Sequence, residues 1–186
     1  YPLAAGIFER DFLEMVSPLK NKLESMLLPE VDMEQGVLPF VIVIKSELLS
    51  SEEMMAQVER ESKKGVTILR PHTSQKFKTI EDVELPGGMV YLMMDIDRGK
   101  ESINLPPIEA MSGIQKAGRS PLTIDEGIAL VTHYPEFLMK NNCYSLLASR
   151  TGSDKRVPAI WINAKKEPNL GWCWDGNPHT WLGSAS

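Results

Sequence analysis

The chain predicts an α+β fold, with a mixed sheet containing a parallel pair and a C-terminal antiparallel meander, and helices on the faces. Three observations carry that prediction. A continuous apolar run at 37–44 and a second covered-strand pattern at 89–96 lie either side of a helical pattern. Two capping boxes, Ser50 with Glu53 and Thr123 with Glu126, each open a helix. After residue 142 the helical period gives way to three strand-like runs joined by short, turn-rich connections.

Taken in order, Ile7, Phe8, Phe12, Met15 and Val16 recur at helical spacing. Ser17-Pro18 is a cap and first-turn pair, and Leu19, Leu23, Met26 and Leu27 continue the pattern. This predicts two helices meeting near Ser17, or one helix kinked there. Residues 29–36 form a linker. Residues 37–44 predict a strand covered on both faces, with Pro39 at its start. The helix opened by Ser50 carries Met54, Met55 and Val58, with Gly65 suited to end it. Residues 66–69 predict a short strand, and 72–85 have no regular pattern. Gly87-Gly88 precede the second covered strand. The helix between the two covered strands predicts a right-handed parallel crossover.

Pro106-Pro107 opens a helix through Ile108, Met111 and Ile114, with Gly118 just past its end. The helix after Thr123 carries Ile124, Ile128 and Val131, and Pro135 starts a short turn. Strands are expected at 143–149, 156–163 and 170–174. Nothing repeats internally. The whole of 1–186 is expected to be one domain, with a helical segment at 1–36 packed on an α+β core at 37–186.

Composition narrows the function classes. A hydrophobic content of 42% is enough for a core and too high for disorder. With 24% charged residues and no apolar run near the roughly 18 residues of a span, no membrane association is expected. A net charge of −5 argues against a nucleic-acid partner, which calls for a basic face. The acidity is concentrated: residues 1–62 hold 12 acids and 5 bases, and residues 121–186 hold six of each. No basic segment leads into an apolar one after Tyr1, so no signal peptide is expected. Cys143 and Cys173 are expected to be reduced, buried thiols of a cytoplasmic protein.

Three places could carry chemistry. In Asp95-Ile96-Asp97-Arg98-Gly99, strand alternation places Asp95 and Asp97 on one side of the strand. They could hold a cation or share a proton, although two acids make an incomplete metal site, and Arg98 could simply pair with one of them. The acidic first turn after Thr123 is accounted for by capping and the helix dipole. The tail is the densest. Trp172 and Trp174 share one face of a strand, Cys173 lies on the other, a turn follows through Asn177, and His179 and Trp181 come on the return. All four tryptophans lie between Trp161 and Trp181. Indoles make platforms for sugars, bases or cations, or else a small aromatic core. The three histidines and two cysteines lack metal-ligand spacing, so neither a metal nor a cofactor is expected.

Several of these segments resemble motifs of an uncharacterised bacterial protein family of unknown function. They are Asp95–Gly99, Gly118–Gly127, Ser145–Arg150, Arg156–Ala159 and Gly171–Trp174 through Asn177–Gly183. The resemblance spans roughly residues 37–186. It implies a soluble bacterial protein and points to the same loops, and it implies no activity.

The leading expectation is a binding module for a small molecule or peptide, with a polar-aromatic cleft near the C-terminus. Its contacts would be Arg98, Trp172, Trp174, Asn177, His179 and Trp181, with Arg150 or Arg156 meeting an anionic group. One alternative is a hydrolase-like enzyme with His179 as base, Asp95 or Asp97 as acid or metal holder, and Cys173 as a less favoured nucleophile. Another is a protein-interaction subunit presenting its tryptophans. Whether the chain catalyses anything, and whether it self-associates, stays open at this level.

Overall fold

The computed structural model describes residues 3–186; Tyr1 and Pro2 lie outside the described residues. The first helix, α1 (Glu9–Glu24), runs without a break across Pro18, so the N-terminal pattern is one helix and not two. The Ser17 hydroxyl donates to the Leu13 carbonyl at 2.7 Å, one turn back. None of the residues of α1 is buried.

β1 (Val37–Ile44) and β6 (Val90–Asp97) pair along their full length, with Val37 opposite Asp97 and Ile44 opposite Val90. The pair is antiparallel. The expected parallel crossover is therefore wrong, and the connection shows why. A parallel return needs one element long enough to carry the chain back, but α2 (Ser51–Gln57) spans only seven residues. It stops well short of Gly65, because Val58 turns to extended backbone. β2 (Glu59–Arg60) and β3 (Lys63–Lys64) then form a hairpin. Its two turn residues, Glu61 and Ser62, both have positive φ, as a type I′ turn requires. The chain next contributes β4 (Val66–Thr67) to a different sheet, and β5 (Lys78–Thr79) to a third pairing.

The helices over the second half follow the sequence closely. α3 (Pro107–Lys116) has proline in its first turn. α4 (Ile124–His133) opens on a complete capping box between Thr123 and Glu126, and Ser50 with Glu53 forms another at α2. The expected first meander strand is split into β7 (Cys143–Ser145) and β8 (Ser149–Arg150). β9 (Arg156–Ile162) and β10 (Pro168–Trp174) pair antiparallel, and β11 (Leu182–Ser184) is a strand the sequence pattern did not announce.

The five-stranded mixed sheet has the order β11-β7-β9-β10-β4. Its parallel pairs are β11–β7 and β10–β4, so the fold is α+β with the parallel pairing at both edges of the meander. β5 pairs with β8 outside this sheet. α4 packs against β1 on one side and β9 on the other. Ile128, Leu130 and Val131 are fully buried there, together with Leu146 and Ile160.

The end of the chain closes the structure. Asp97 and Ser186 exchange backbone hydrogen bonds at 2.8 and 2.9 Å. Gly99 and Gly183 meet back to back where β11 passes the turn after β6. A Cβ on Gly99 would stand 2.1 Å from the Ser184 carbonyl oxygen, and one on Gly183 would stand 2.2 Å from that of Gly99. Two of the family-like motifs are thus joined through the absence of side chains. Gly99 also has φ +86°, which glycine tolerates best.

Candidate functional site

The β6 end does not assemble a site. Asp95 has φ 52°, which breaks strand alternation, and it is exposed and paired with Arg119 at 2.6 Å. Asp97 turns instead to its own loop, where its Oδ1 accepts from Gly99 N at 2.7 Å. Arg98 is 1% exposed. Its guanidinium donates to the carbonyls of Phe137 (2.9 Å), Met33 (3.2 Å) and Glu34 (3.3 Å), and lies over the Phe137 ring. Arg98 is therefore corrected from a ligand contact to an internal tie between the β6 turn, the linker before β1 and the turn after α4. Three carbonyl dipoles offset the burial of this charge at its two terminal nitrogens, while its Nε is buried without a hydrogen-bond partner.

The strand register sorts the tail residues. Cys143, Ala159, Trp161, Asn169, Gly171 and Cys173 fall on one face of the sheet, and Arg156, Trp172 and Trp174 on the other. Trp172 and Trp174 do share a face, and they enclose a protein cation. The Arg156 guanidinium lies 4.4 Å from one ring centroid and 4.7 Å from the other. Arg156 also pairs with Asp154, which bonds His72 Nε2 at 2.7 Å. These contacts hold the Asp154 carboxyl well below its usual pKa, against the opposing effect of burial. Trp172 spends its indole N–H on the Arg70 carbonyl at 2.7 Å. Arg150 approaches Asp175 at 4.0 Å and donates to the Leu147 carbonyl. Asn177 is exposed in the turn after β10.

His179 packs against Trp181, with ring centroids 5.1 Å apart. Its Nε2 is buried without a hydrogen-bond partner, and burial lowers its pKa. Neither Asp95 nor Asp97 supplies that partner. Cys173 is buried, and burial pushes its thiol up to about 11, which leaves almost no thiolate at neutral pH. Both cysteines are free. They stand on β7 and β10 with β9 between them, offset by four residues in register, roughly 16 Å apart at ordinary strand spacings. Disulfide geometry needs Cα atoms within about 7 Å. Among the described residues, no three His, Cys, Asp or Glu side chains gather as a metal-holding group.

A cleft of about 580 Å³ lies beside Trp181. Arg60, Lys140 and Lys166 line it, with Cys143, Asn163 and one carboxylate, Glu61. Glu61 pairs with Arg60 at 2.7 Å, and Arg60 Nε also donates to the Leu138 carbonyl. Among the described residues, Lys140 and Lys166 enter no ion pair and no side-chain hydrogen bond. The cleft is therefore net basic in an acidic protein. Three of its lining residues, Glu61, Asn141 and Lys166, have left-handed backbone, which holds the rim in turns. The Cys143 thiol is raised by burial despite the opposing pull of Arg98 and Arg60.

Trp181 meets Trp161 edge to face at 6.1 Å. Beyond Trp161 is a second recess of about 300 Å³, lined by Ile68, Arg70, Trp161, Asn163, Asn169 and Trp172. Asn163 borders both spaces. Gly171 lets the Trp161 ring lie against the backbone, since a Cβ there would stand 2.1 Å from Cη2. A third cavity, about 320 Å³, opens by the start of α4 near Asp125, Lys45 and Lys78. Its charges are balanced, and Asp125 is bound by Ser46 N at 2.8 Å.

The chain belongs to DUF5701, a family of unknown function. The family model matches residues 1–186, so the match includes the N-terminal helix that the motif resemblance left out. No curated protein and no solved structure matches the chain.

Of the residues expected at a site, Trp181 lines the basic cleft and Trp172 the adjoining recess. Arg60, Lys140, Lys166 and Asn169 were missed. The three cations stand 80 and 26 positions apart along the chain, and no local motif links them. The turn-rich connection at 164–169, which holds Lys166 and Asn169, was legible as a hairpin loop, but nothing in it pointed to a site.

Proposed function

We propose that the chain is a binding module for a small anionic molecule, seated in the cleft between Trp181 and the cations Arg60, Lys140 and Lys166. The observation that carries this reading is the pair of uncommitted lysines beside an aromatic wall. The cleft volume of about 580 Å³ is of small-molecule size, which favours such a ligand over a peptide. Of the groups that line the cleft, the Cys143 thiol is kept protonated by burial and Glu61 is tied to Arg60, so binding without chemistry is the reading it supports. The family's unknown function is compatible with it.

The test is a titration of the full chain with inorganic pyrophosphate, followed by tryptophan emission and calorimetry. Trp181 makes the emission a local reporter. Saturable binding is expected that weakens with salt and falls at least tenfold in a Lys140→Glu, Lys166→Glu double variant. Absence of saturation, or an affinity indifferent to both charge reversals, overturns the proposal.

A further inference from the structure

Asn169 is 1% exposed, yet it lines the recess between Trp161 and Trp172. Its Oδ1 is buried and has no hydrogen-bond partner. The carboxamide as a whole enters no side-chain hydrogen bond among the described residues. An orphaned acceptor of this kind is costly in a folded protein and calls for an occupant that supplies the donor.

The surroundings say what that occupant must be. A carboxamide offers one acceptor and one donor in a plane, so it is best met by a group with the complementary pair on one edge. The adenine edge does this through its 6-amino donor and N7 acceptor, the pairing that Asn and Gln side chains make. Trp161, on the same sheet face as Asn169, offers an indole that accepts the flat face of a base, while Trp172, on the opposite face and stacked on Arg156, bounds the rim of the space. Trp172 is held by its bond to the Arg70 carbonyl, and Trp161 by Gly171 beneath it and Trp181 beside it. The walls are therefore set before anything binds. The basic cleft lies beyond Asn163, which borders both spaces, so the phosphate carried by the ribose of a bound base would be directed toward Lys140 and Lys166.

We infer that the ligand class is an adenine mononucleotide, its base on Trp161 in the recess against Asn169 and its phosphate in the basic cleft. This inference rests on the anion-binding reading above and specifies its ligand.

The deciding experiment is calorimetric titration of the full chain with adenosine monophosphate, inosine monophosphate and inorganic pyrophosphate. Inosine replaces the 6-amino donor with a carbonyl acceptor and leaves Asn169 Oδ1 unmet. Adenosine monophosphate is expected to bind about tenfold tighter than inosine monophosphate, within the range for one bidentate amide–base pair. Asn169→Leu should erase that preference. It should also leave the melting temperature unchanged or higher, because it removes an orphaned acceptor at nearly constant shape. A melting temperature that falls in Asn169→Leu would mark Asn169 as a structural residue and count against the inference. Equal binding of the two nucleotides overturns the inference even if the variant fails to fold. Should pyrophosphate bind while the nucleotides show no preference, the nucleotide inference falls and the basic cleft stands. Should none of the three bind, both fall.

Discussion

Arg98 offers the sharpest test of how the fold is held. Arg98→Ala removes a buried guanidinium from three carbonyls and a ring. The Phe137 carbonyl, accepting at 2.9 Å, is buried and would be left without that donor; those of Met33 and Glu34 are partly buried. Hydrogen bonds from a charged donor contribute about 1.5–3 kcal/mol each, less where water can replace the donor. One bond at full value and two discounted ones give a loss of about 3–5 kcal/mol. For a chain of this length each kcal/mol moves the melting temperature by about 2–4 °C, so the expected fall is roughly 6–20 °C. Urea denaturation and a thermal melt of the full chain measure it. Arg98→Lys should recover only a minor part, since one ammonium cannot reach three carbonyls arranged around a planar fork. A loss below about 1 kcal/mol for Arg98→Ala would refute this tie between the three segments.

Glu126 is buried at the start of α4, accepting from Thr123 N at 2.7 Å and from the Tyr91 hydroxyl at 2.9 Å. Burial raises its pKa, and that of neighbouring Asp125, above the unfolded value of about 4.3 or 3.9 respectively. The stabilising effect of the bound proton is full below the unfolded value and is lost as pH climbs through the folded one. Wild type should therefore lose stability relative to Glu126→Gln as pH rises from about 4 through the raised folded value, and a pH-independent gap in urea midpoints would contradict this. Both thiols should resist a thiol-labelling reagent in the native state at neutral pH and react promptly in denaturant, because burial keeps each protonated and covered. Rapid native labelling of either would show that its strand opens. Gly171→Ala should displace the Trp161 ring, shift the tryptophan emission and cost about 1–3 kcal/mol, the usual effect of overpacking; an unchanged spectrum would mean that the ring is not confined.

How far the site was legible follows from the range of each interaction. The turn residues, both capping boxes and the shared face of Trp172 and Trp174 are local, and each was readable within a few positions. The expected role of those two indoles was not. Arg156, pointing between them from β9, occupies them with a cation of the protein's own. Likewise nothing near Asp95 in the sequence announces Arg119, which takes up its carboxylate.

The sequence by itself determined the starts of α2, α3 and α4, the two long strands β1 and β6, and the antiparallel pairing of β9 with β10. Hydrophobic period, capping chemistry and short turns act over a few residues and are written in those residues. The tertiary structure alone decided that β1 and β6 run antiparallel, that β11 returns beside β7, and that Gly99 meets Gly183. It also brought Arg60, Lys140 and Lys166 to one cleft. These depend on where distant segments come to lie once the apolar faces of α4 and the sheets are buried together. That packing is a property of the whole chain, and no window of the sequence contains it.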